Sequence, residues 1–416
     1  MNTKRNSDRY CIELIYQFGY KVVNITLDDL DQIRTIILRS HETERKYNNH
    51  NWEYTFASID KMRLRNTPVL DKLLQNLEVE GKIIRNIDDF FSLWPSSYGS
   101  AVLMTHDIDH VVTNSVREYV RRIPYSLRDL KSFAINTFSI LKNLTRFFLN
   151  RKSDDWAALS MWANTERKNS INGTYYFLSQ PVVSPHFEDS FYRYRDKYKD
   201  SQGSNIKDSI LSLAQSGHEI GLHGSTGTSD SADFMQLELS NFHKRTGIEV
   251  VSNRYHHLCF DSNLSVNVLD KTGIKVDSTL GSNISTDYRC GTGMPHFLFN
   301  PLTDSVSDVL EVPLIIQDVA LFKQMQLNDR EALSLCLELI SETKGSMTCL
   351  TLLWHNNYSI NSPYFSVFKD VCEYLGSDNS IWKPTMTEMR NWIVKKNMII
   401  EQNYGKEIQE VLKKIY

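Results

Sequence analysis

No stretch of this 416-residue chain stays apolar and uncharged for the roughly 18 residues a membrane-spanning helix needs. The first twenty residues, MNTKRNSDRYCIELIYQFGY, are charged and lack the apolar run of a secretory leader, so export is not expected. Cysteine is sparse. Six are scattered (Cys11, Cys259, Cys290, Cys336, Cys349, Cys372) without CxxC spacing, which disfavours a cysteine zinc site and fits a reduced, cytoplasmic protein. Neither sign of charge dominates, and a net charge of −3 argues against nucleic acid as the main partner. Internal repeats and low-complexity tracts are missing too. What remains, 41% apolar and 23% charged residues, is an ordinary globular composition. The length implies one large domain with a smaller one beside it.

The chain is organised around residues 101–110, AVLMTHDIDH. Four buried-strand residues end abruptly in two carboxylates and two imidazoles. In parallel α/β folds ligands gather where strands end, so this reads as a site. Strand alternation puts Asp107 and Asp109 on one side, about 6–7 Å apart along the backbone. Carboxylates that close repel each other unless a cation or a proton intervenes.

Upstream, residues 1–95 gather no His, Asp or Glu cluster and read as a small α/β accessory domain. A helix is expected over 27–38, started by Thr26 with Asp28 and Asp29 in its first turn. The segment WPSSYG at 94–99 marks the boundary to a second domain over 96–398. Residues 115–152 form a basic, helical insertion. Within it, 128–152 carries Phe133, Ile140, Leu144, Phe147 and Phe148 on one stripe, bordered by Lys131, Lys142 and Arg146. Two readings stay open: a helix packed on the domain or on a partner, and an interfacial helix touching anionic lipid headgroups.

Further on, strands and helices alternate, and most strands end in polar residues. GHEIGLHGS at 217–225 places Glu219, Gly221 and His223 on one face, which makes His223 the ligand candidate and His218 a structural residue. A strand over 249–253 leads into Arg254, Tyr255, His256 and His257. Another, 274–276, runs into Asp277 and Ser278, and a third, 347–353, ends at Trp354 and His355. Arg289 and Trp354 read either as substrate contacts or as structure. A helix over 385–396 and a helical tail, 399–416, close the chain. Strand, polar cluster, helix, strand is the pattern of a βα barrel.

Taken together and in order, THDID at 105–109, the approach to His223, Arg254-Tyr255-His256, Asp277-Ser278 and Leu352-Leu353-Trp354-His355 resemble the five motifs of the polysaccharide deacetylase (NodB-homology, carbohydrate esterase) superfamily. The resemblance covers about residues 98–398. It implies an α/β fold, a distorted (β/α)7 barrel. It also implies a divalent metal, zinc first and iron, cobalt or nickel as alternatives, bound by Asp109 and His223. Asp107 would then be the general base, oriented by Arg254, and His355 the general acid, with Asp277 or Asp318 fixing its tautomer. One position departs from the pattern. The superfamily's second metal-binding histidine lies four residues after the first, and Gly227 stands there. His256 is the preferred replacement, because it shares a face with Arg254; His106 and His110 are the alternatives. The activity implied is hydrolytic deacetylation of an N-acyl sugar in bacterial cell-surface polysaccharide or lipopolysaccharide synthesis. Its substrate would be a nucleotide- or lipid-linked sugar or an oligosaccharide, met in the cytoplasm or at the inner face of the membrane. Gly227 favours the rival expectation of a non-catalytic carbohydrate-binding or scaffolding barrel. Oligomeric state is not legible.

Overall fold

Thr26 accepts a hydrogen bond from the Asp29 amide, while the Asp29 carboxylate reaches back to the Thr26 amide. This capping box starts the helix Leu27–Ile37 where the sequence places it. The computed structural model describes residues 2–39, 42–48, 51–56, 67–85, 93–95, 98–109, 159–179, 205–344, 348–356 and 362–416. The insertion expected over 115–152, with its candidate membrane face 128–152, lies outside the described residues, as does His110.

Around that helix, β1 (Tyr20–Val22) pairs antiparallel with β4 (Ile83–Arg85), and β2 (Glu42–Asn48) forms a hairpin with β3 (Asn51–Phe56). Next comes the main sheet. All nine residues of β5 (Ser100–Ile108) are buried, which explains why the strand shows no polar alternation: a central parallel strand is covered on both faces. From β5 the sheet runs in parallel through β6 (Thr174–Leu178), β7 (Glu219–Gly224), β8 (Ser252–Tyr255) and β9 (Val276–Asp277). Beyond β9, β10 (His296–Asn300) lies antiparallel on the outer edge of β11 (Ser305–Glu311). On the other flank of β5, β13 (Leu350–Leu353) pairs with β12 (Ile316–Gln317), and β14 (Ile381–Trp382) joins the start of β5.

The closure is made by one piece of chain. β11 pairs with β9, and a few residues later β12 pairs with β13. Between them, the Leu314 and Ile315 amides donate to Leu280 O and Thr351 O. Counting β11–β12 as one position, the ring comprises β5, β6, β7, β8, β9, β11–β12 and β13. This is the distorted seven-stranded α/β barrel that the sequence implies. Helices Leu159–Lys168, Ile206–Gln215, Ala232–Thr246, Ser265–Thr272 and Asp329–Glu342 cross between successive strands. Several are capped by local signals: Asn205, Ser231 and Asn328 accept at N-termini, and Gly247 and Gly273 take left-handed φ values of 78° at C-caps. Strand β8 starts at Ser252, later than the expected 249, and the Val251 carbonyl just before it already accepts from the Lys275 and Val276 amides.

Described residues of the N-terminal region (Tyr10, Ile15, Leu30, Leu74) share one apolar cluster with Leu103, Val276 and Leu310 of the barrel and with Ile393 and Ile408 of the last helix. That helix is continuous over Met386–Ile415, so residues 399–415 extend it without a break at 398. Among the described residues no helix is long and apolar enough to cross a membrane.

Lys396 of this helix is 3% exposed, and its Nζ donates to Gln17 O at 2.6 Å. Burial lowers its pKa to about 7 from the ordinary 10.5. Between those values the unfolded chain binds the extra proton, so this group makes stability rise with pH; below about 7 the cost of the buried charge is complete. Lys396→Met should therefore be more stable than the native chain near pH 6.5 by on the order of a few kcal/mol. The advantage should shrink towards pH 10. Urea unfolding of both proteins at the two pH values checks it; a difference that does not change with pH contradicts it.

Candidate metal centre and catalytic residues

β5 delivers Asp107 and Asp109 to the barrel mouth, while Ile108 and His106 turn the other way into buried surroundings. The alternation decides which histidine is available. His106 Nδ1 lies 2.9 Å from Trp354 O, and its Nε2 lies 3.0 Å from Glu166 Oε1, a carboxylate that is itself fully buried. His106 is thereby removed as a ligand. His218 belongs to the same buried group: its Nδ1 accepts from the Gly173 amide and lies 3.6 Å from Glu166.

At the mouth, His223 Nε2 lies 3.2 Å from Asp109 Oδ1, and His256 Nε2 lies 3.7 Å from the same oxygen. Donor atoms of Asp109, His223 and His256 all fall within 4.8 Å of one another. His223 Nδ1 is 2.7 Å from the carbonyl oxygen of Arg254, which can only accept, so Nδ1 carries a proton and Nε2 is aimed at the carboxylates. Asp109 Oδ1 is buried and makes no hydrogen bond despite its two imidazole neighbours. A buried carboxylate oxygen without a donor, facing two imidazole nitrogens, fits a divalent cation placed among them. The electrostatics agree. Burial pushes the Asp109 carboxyl up, yet the His256, His223 and His355 imidazoles outweigh it and hold it well below the usual range. For His223, burial opposes protonation, and the Asp107 and Asp109 carboxylates overcome it and raise its pKa. The same negative field attracts a metal ion, which would compete with that proton.

Gly227, where the sequence pattern expects a histidine, lies on the turn Thr226–Thr228, and a Cβ at that position would meet nothing within 4 Å. His256 comes from the turn His256–Leu258 immediately after β8.

Beside these three side chains sit two polar groups, each tied to a partner. Arg254 is fully buried at the end of β8. Its Nη1 donates to Asp107 Oδ1 at 3.0 Å and to Thr105 Oγ1 at 2.8 Å, its Nε to Ser278 O at 2.7 Å and its Nη2 to Ser278 Oγ at 2.8 Å. The Tyr176 ring lies under the guanidinium, 4.7 Å from its carbon. That ring needs Gly221 on the neighbouring strand, since a Cβ there would come within 2.5 Å of it. His355 follows β13. Its Nδ1 lies 2.7 Å from Asp318 Oδ1, its backbone amide donates to Asp318 Oδ2, and its Nε2 lies 3.5 Å from Asp109 Oδ2. Burial lowers the His355 pKa, but Asp318 and the two site aspartates raise it to about 9.

Asp277 does not join this group, which corrects the expectation of a catalytic role. Its carboxylate accepts from Asn253 Nδ2, Thr279 Oγ1 and the Thr279 amide. Burial raises its pKa. Alternation explains the reversal: Ser278, one residue on, faces Arg254, so Asp277 must face the other way. Asp318 is the partner of His355, and the signal for it is a strand-end position after the apolar run 312–316. Trp354 is fully buried, with its indole donating to Tyr364 O, and Arg289 pairs with Glu42; these contacts make both structural.

No family model matches the chain, and no curated protein matches it. Solved structures do. A Mycobacterium smegmatis protein provisionally named a polysaccharide deacetylase aligns with a TM-score of 0.47 at 15% identity, covering 73% of this chain and 93% of that one. The likeness is one of fold. Another provisionally named polysaccharide deacetylase, from Pseudomonas aeruginosa PAO1, gives a TM-score of 0.44 at 12% identity, with 72% and 92% covered. The allantoinase PuuE gives 0.46 at 12% identity, with 74% and 96% covered. At these identities the chemistry has to be read from the side chains themselves.

Proposed function

We propose that the chain is a metal-dependent amide hydrolase that removes an N-acetyl or related N-acyl group from a sugar. The observation that carries this reading is the convergence of Asp109, His223 and His256 beside the Asp107–Arg254 and His355–Asp318 pairs. Asp109, His223 and His256 would hold the ion, with zinc, iron, cobalt and nickel all suited to one carboxylate and two imidazoles. When bound, the ion supplies Lewis acidity towards the acyl carbonyl and towards water.

The chain's own residues do the rest. Asp107 has one oxygen on Arg254 and the other 3.8 Å from His223 Nε2, so its free lone pairs face the site, where it takes the proton of the attacking water. Arg254 keeps that carboxylate in place and balances its buried charge. Burial opposes protonation of His355, but the Asp318 carboxylate, bonded to Nδ1, raises its pKa and so favours the protonated imidazole. Its Nδ1 is held by Asp318, so Nε2 is the atom that delivers a proton to the departing amine as the C–N bond breaks. The products are a free amino sugar and a carboxylic acid. Cell-surface polysaccharide or lipopolysaccharide synthesis is the setting we infer, with a nucleotide- or lipid-linked sugar in the cytoplasm as substrate.

Release of acetate from an N-acetylated oligosaccharide and from a nucleotide-linked N-acetyl sugar tests the reading. The native protein should release acetate from at least one, and His355→Gln should be slower by about 10²–10⁴. No release from either by protein loaded with metal, or an unimpaired His355→Gln, overturns it.

A further inference from the structure

His256 reaches the site because the chain behind it takes a costly shape. His257 and Leu258 both lie in the left-handed region, with φ of 57° and 55°, a conformation that a branched, bulky residue such as Leu258 rarely adopts. Such strain persists only where surrounding contacts over-determine it. The contacts here come from two places. Asn283 Nδ2 donates to His257 O at 3.1 Å. Arg289 Nη1 approaches Leu258 O at 3.5 Å, and its Nη2 approaches Phe260 O at 3.4 Å. The same guanidinium is gripped by Glu42, the first residue of β2, with Nε to Oε1 at 2.8 Å and Nη2 to Oε2 at 3.1 Å. Both side chains are almost completely buried, at 2% and 3% exposure. Glu42 Oε2 also accepts from Ser262 Oγ at 2.8 Å, so the carboxylate binds the far end of the same loop. The second strand of the hairpin, β3, lies against the turn itself.

We propose that Glu42, Arg289 and Asn283 are positioning residues for the metal centre: together they clamp the loop 257–262, Glu42 from the N-terminal region and the other two from the barrel, and thereby set the position of the His256 imidazole. This gives residues 1–95 a task at the site, although they supply no ligand to it. A planar guanidinium bonded in parallel to a carboxylate, with edges left over for two carbonyl oxygens, fixes direction as well as distance. Outer partners that orient a metal ligand commonly govern affinity by about 10–100-fold.

The inference rests on His256 being a ligand, and the experiment separates the two claims. Cobalt(II) affinity, measured by competition with a chromophoric chelator, is compared for the native chain, His256→Ala, the charge-balanced double variant Glu42→Gln/Arg289→Gln, and Asn283→Ala, each checked for folding by circular dichroism. The double variant and Asn283→Ala should each weaken cobalt binding by about 10-fold or more. In a His256→Ala background the same substitutions should have no further effect, because the clamp acts only through that imidazole. A folded double variant or Asn283→Ala with native cobalt affinity overturns the clamp and leaves the metal centre standing. Undiminished cobalt binding in His256→Ala, or none in the native chain, overturns the ligand assignment instead. Should the double variant not fold, Asn283→Ala, which removes no charge, decides the question alone.

Discussion

Asp107→Asn is expected to retain bound metal and to lose about 10²–10⁴ of turnover, the usual range for removing a general base. The two site aspartates differ in their surroundings, and that difference predicts different failures. Asp109 has a buried oxygen with no hydrogen-bond donor, facing two imidazole nitrogens. Asp107 instead has a guanidinium hydrogen bond at 3.0 Å and reaches His223 Nε2 only at 3.8 Å. An amide at 107 keeps a carbonyl oxygen for Arg254 and preserves shape. It cannot accept a proton from water. Metal content and acetate release measured on one preparation separate the roles; loss of metal with Asp107→Asn would make Asp107 a ligand.

Arg254→Met should cost about 3–5 kcal/mol of stability, the range for breaking a buried ion pair by removing one member. The guanidinium is fully buried and serves Asp107, Thr105 and both the carbonyl and hydroxyl oxygens of Ser278. Its loss leaves a buried carboxylate without its cation, beside three acceptors without donors. The double variant Arg254→Met/Asp107→Leu removes both charges and should recover a large part of the loss, because a pair of apolar groups replaces a broken ion pair. Urea unfolding of the single and double variants checks this. Equal destabilisation in both would mean that Arg254 stabilises through Thr105 and Ser278 and not through Asp107.

The residues legible in the sequence are those whose role follows from position on a strand. Asp107, Asp109, His223, Arg254 and His355 each sit at or just beyond the C-terminal end of a buried strand, and alternation separates His223 from His218. The same rule fails where a strand is very short. β9 has two residues, and its face cannot be read from a pattern, so the motif resemblance at Asp277-Ser278 does not tell which of the two enters the site; it is Ser278 that faces Arg254. The sequence prefers His256 to His106 as the third ligand only because His256 shares a face with Arg254. Their separation depends on the strained turn after β8 and on the Glu166 contact beneath β5, and neither has a local signature. Glu42 is invisible for a related reason: it meets Arg289 across 247 positions of sequence, and a carboxylate at a strand start looks like any solvated charge. The barrel closure by a single stretch, β11 into β12, is likewise a matter of pairing partners and not of composition.

Metal content bears most directly on the whole account. Inductively coupled plasma mass spectrometry of the native protein, purified without added metal, should find about one transition-metal ion per chain, as three protein ligands imply. Asp109→Ala, His223→Ala and His256→Ala, each folded by circular dichroism, should retain only a small part of it. A native chain that carries no metal and takes up neither zinc nor cobalt, or full occupancy in all three variants, would contradict the account.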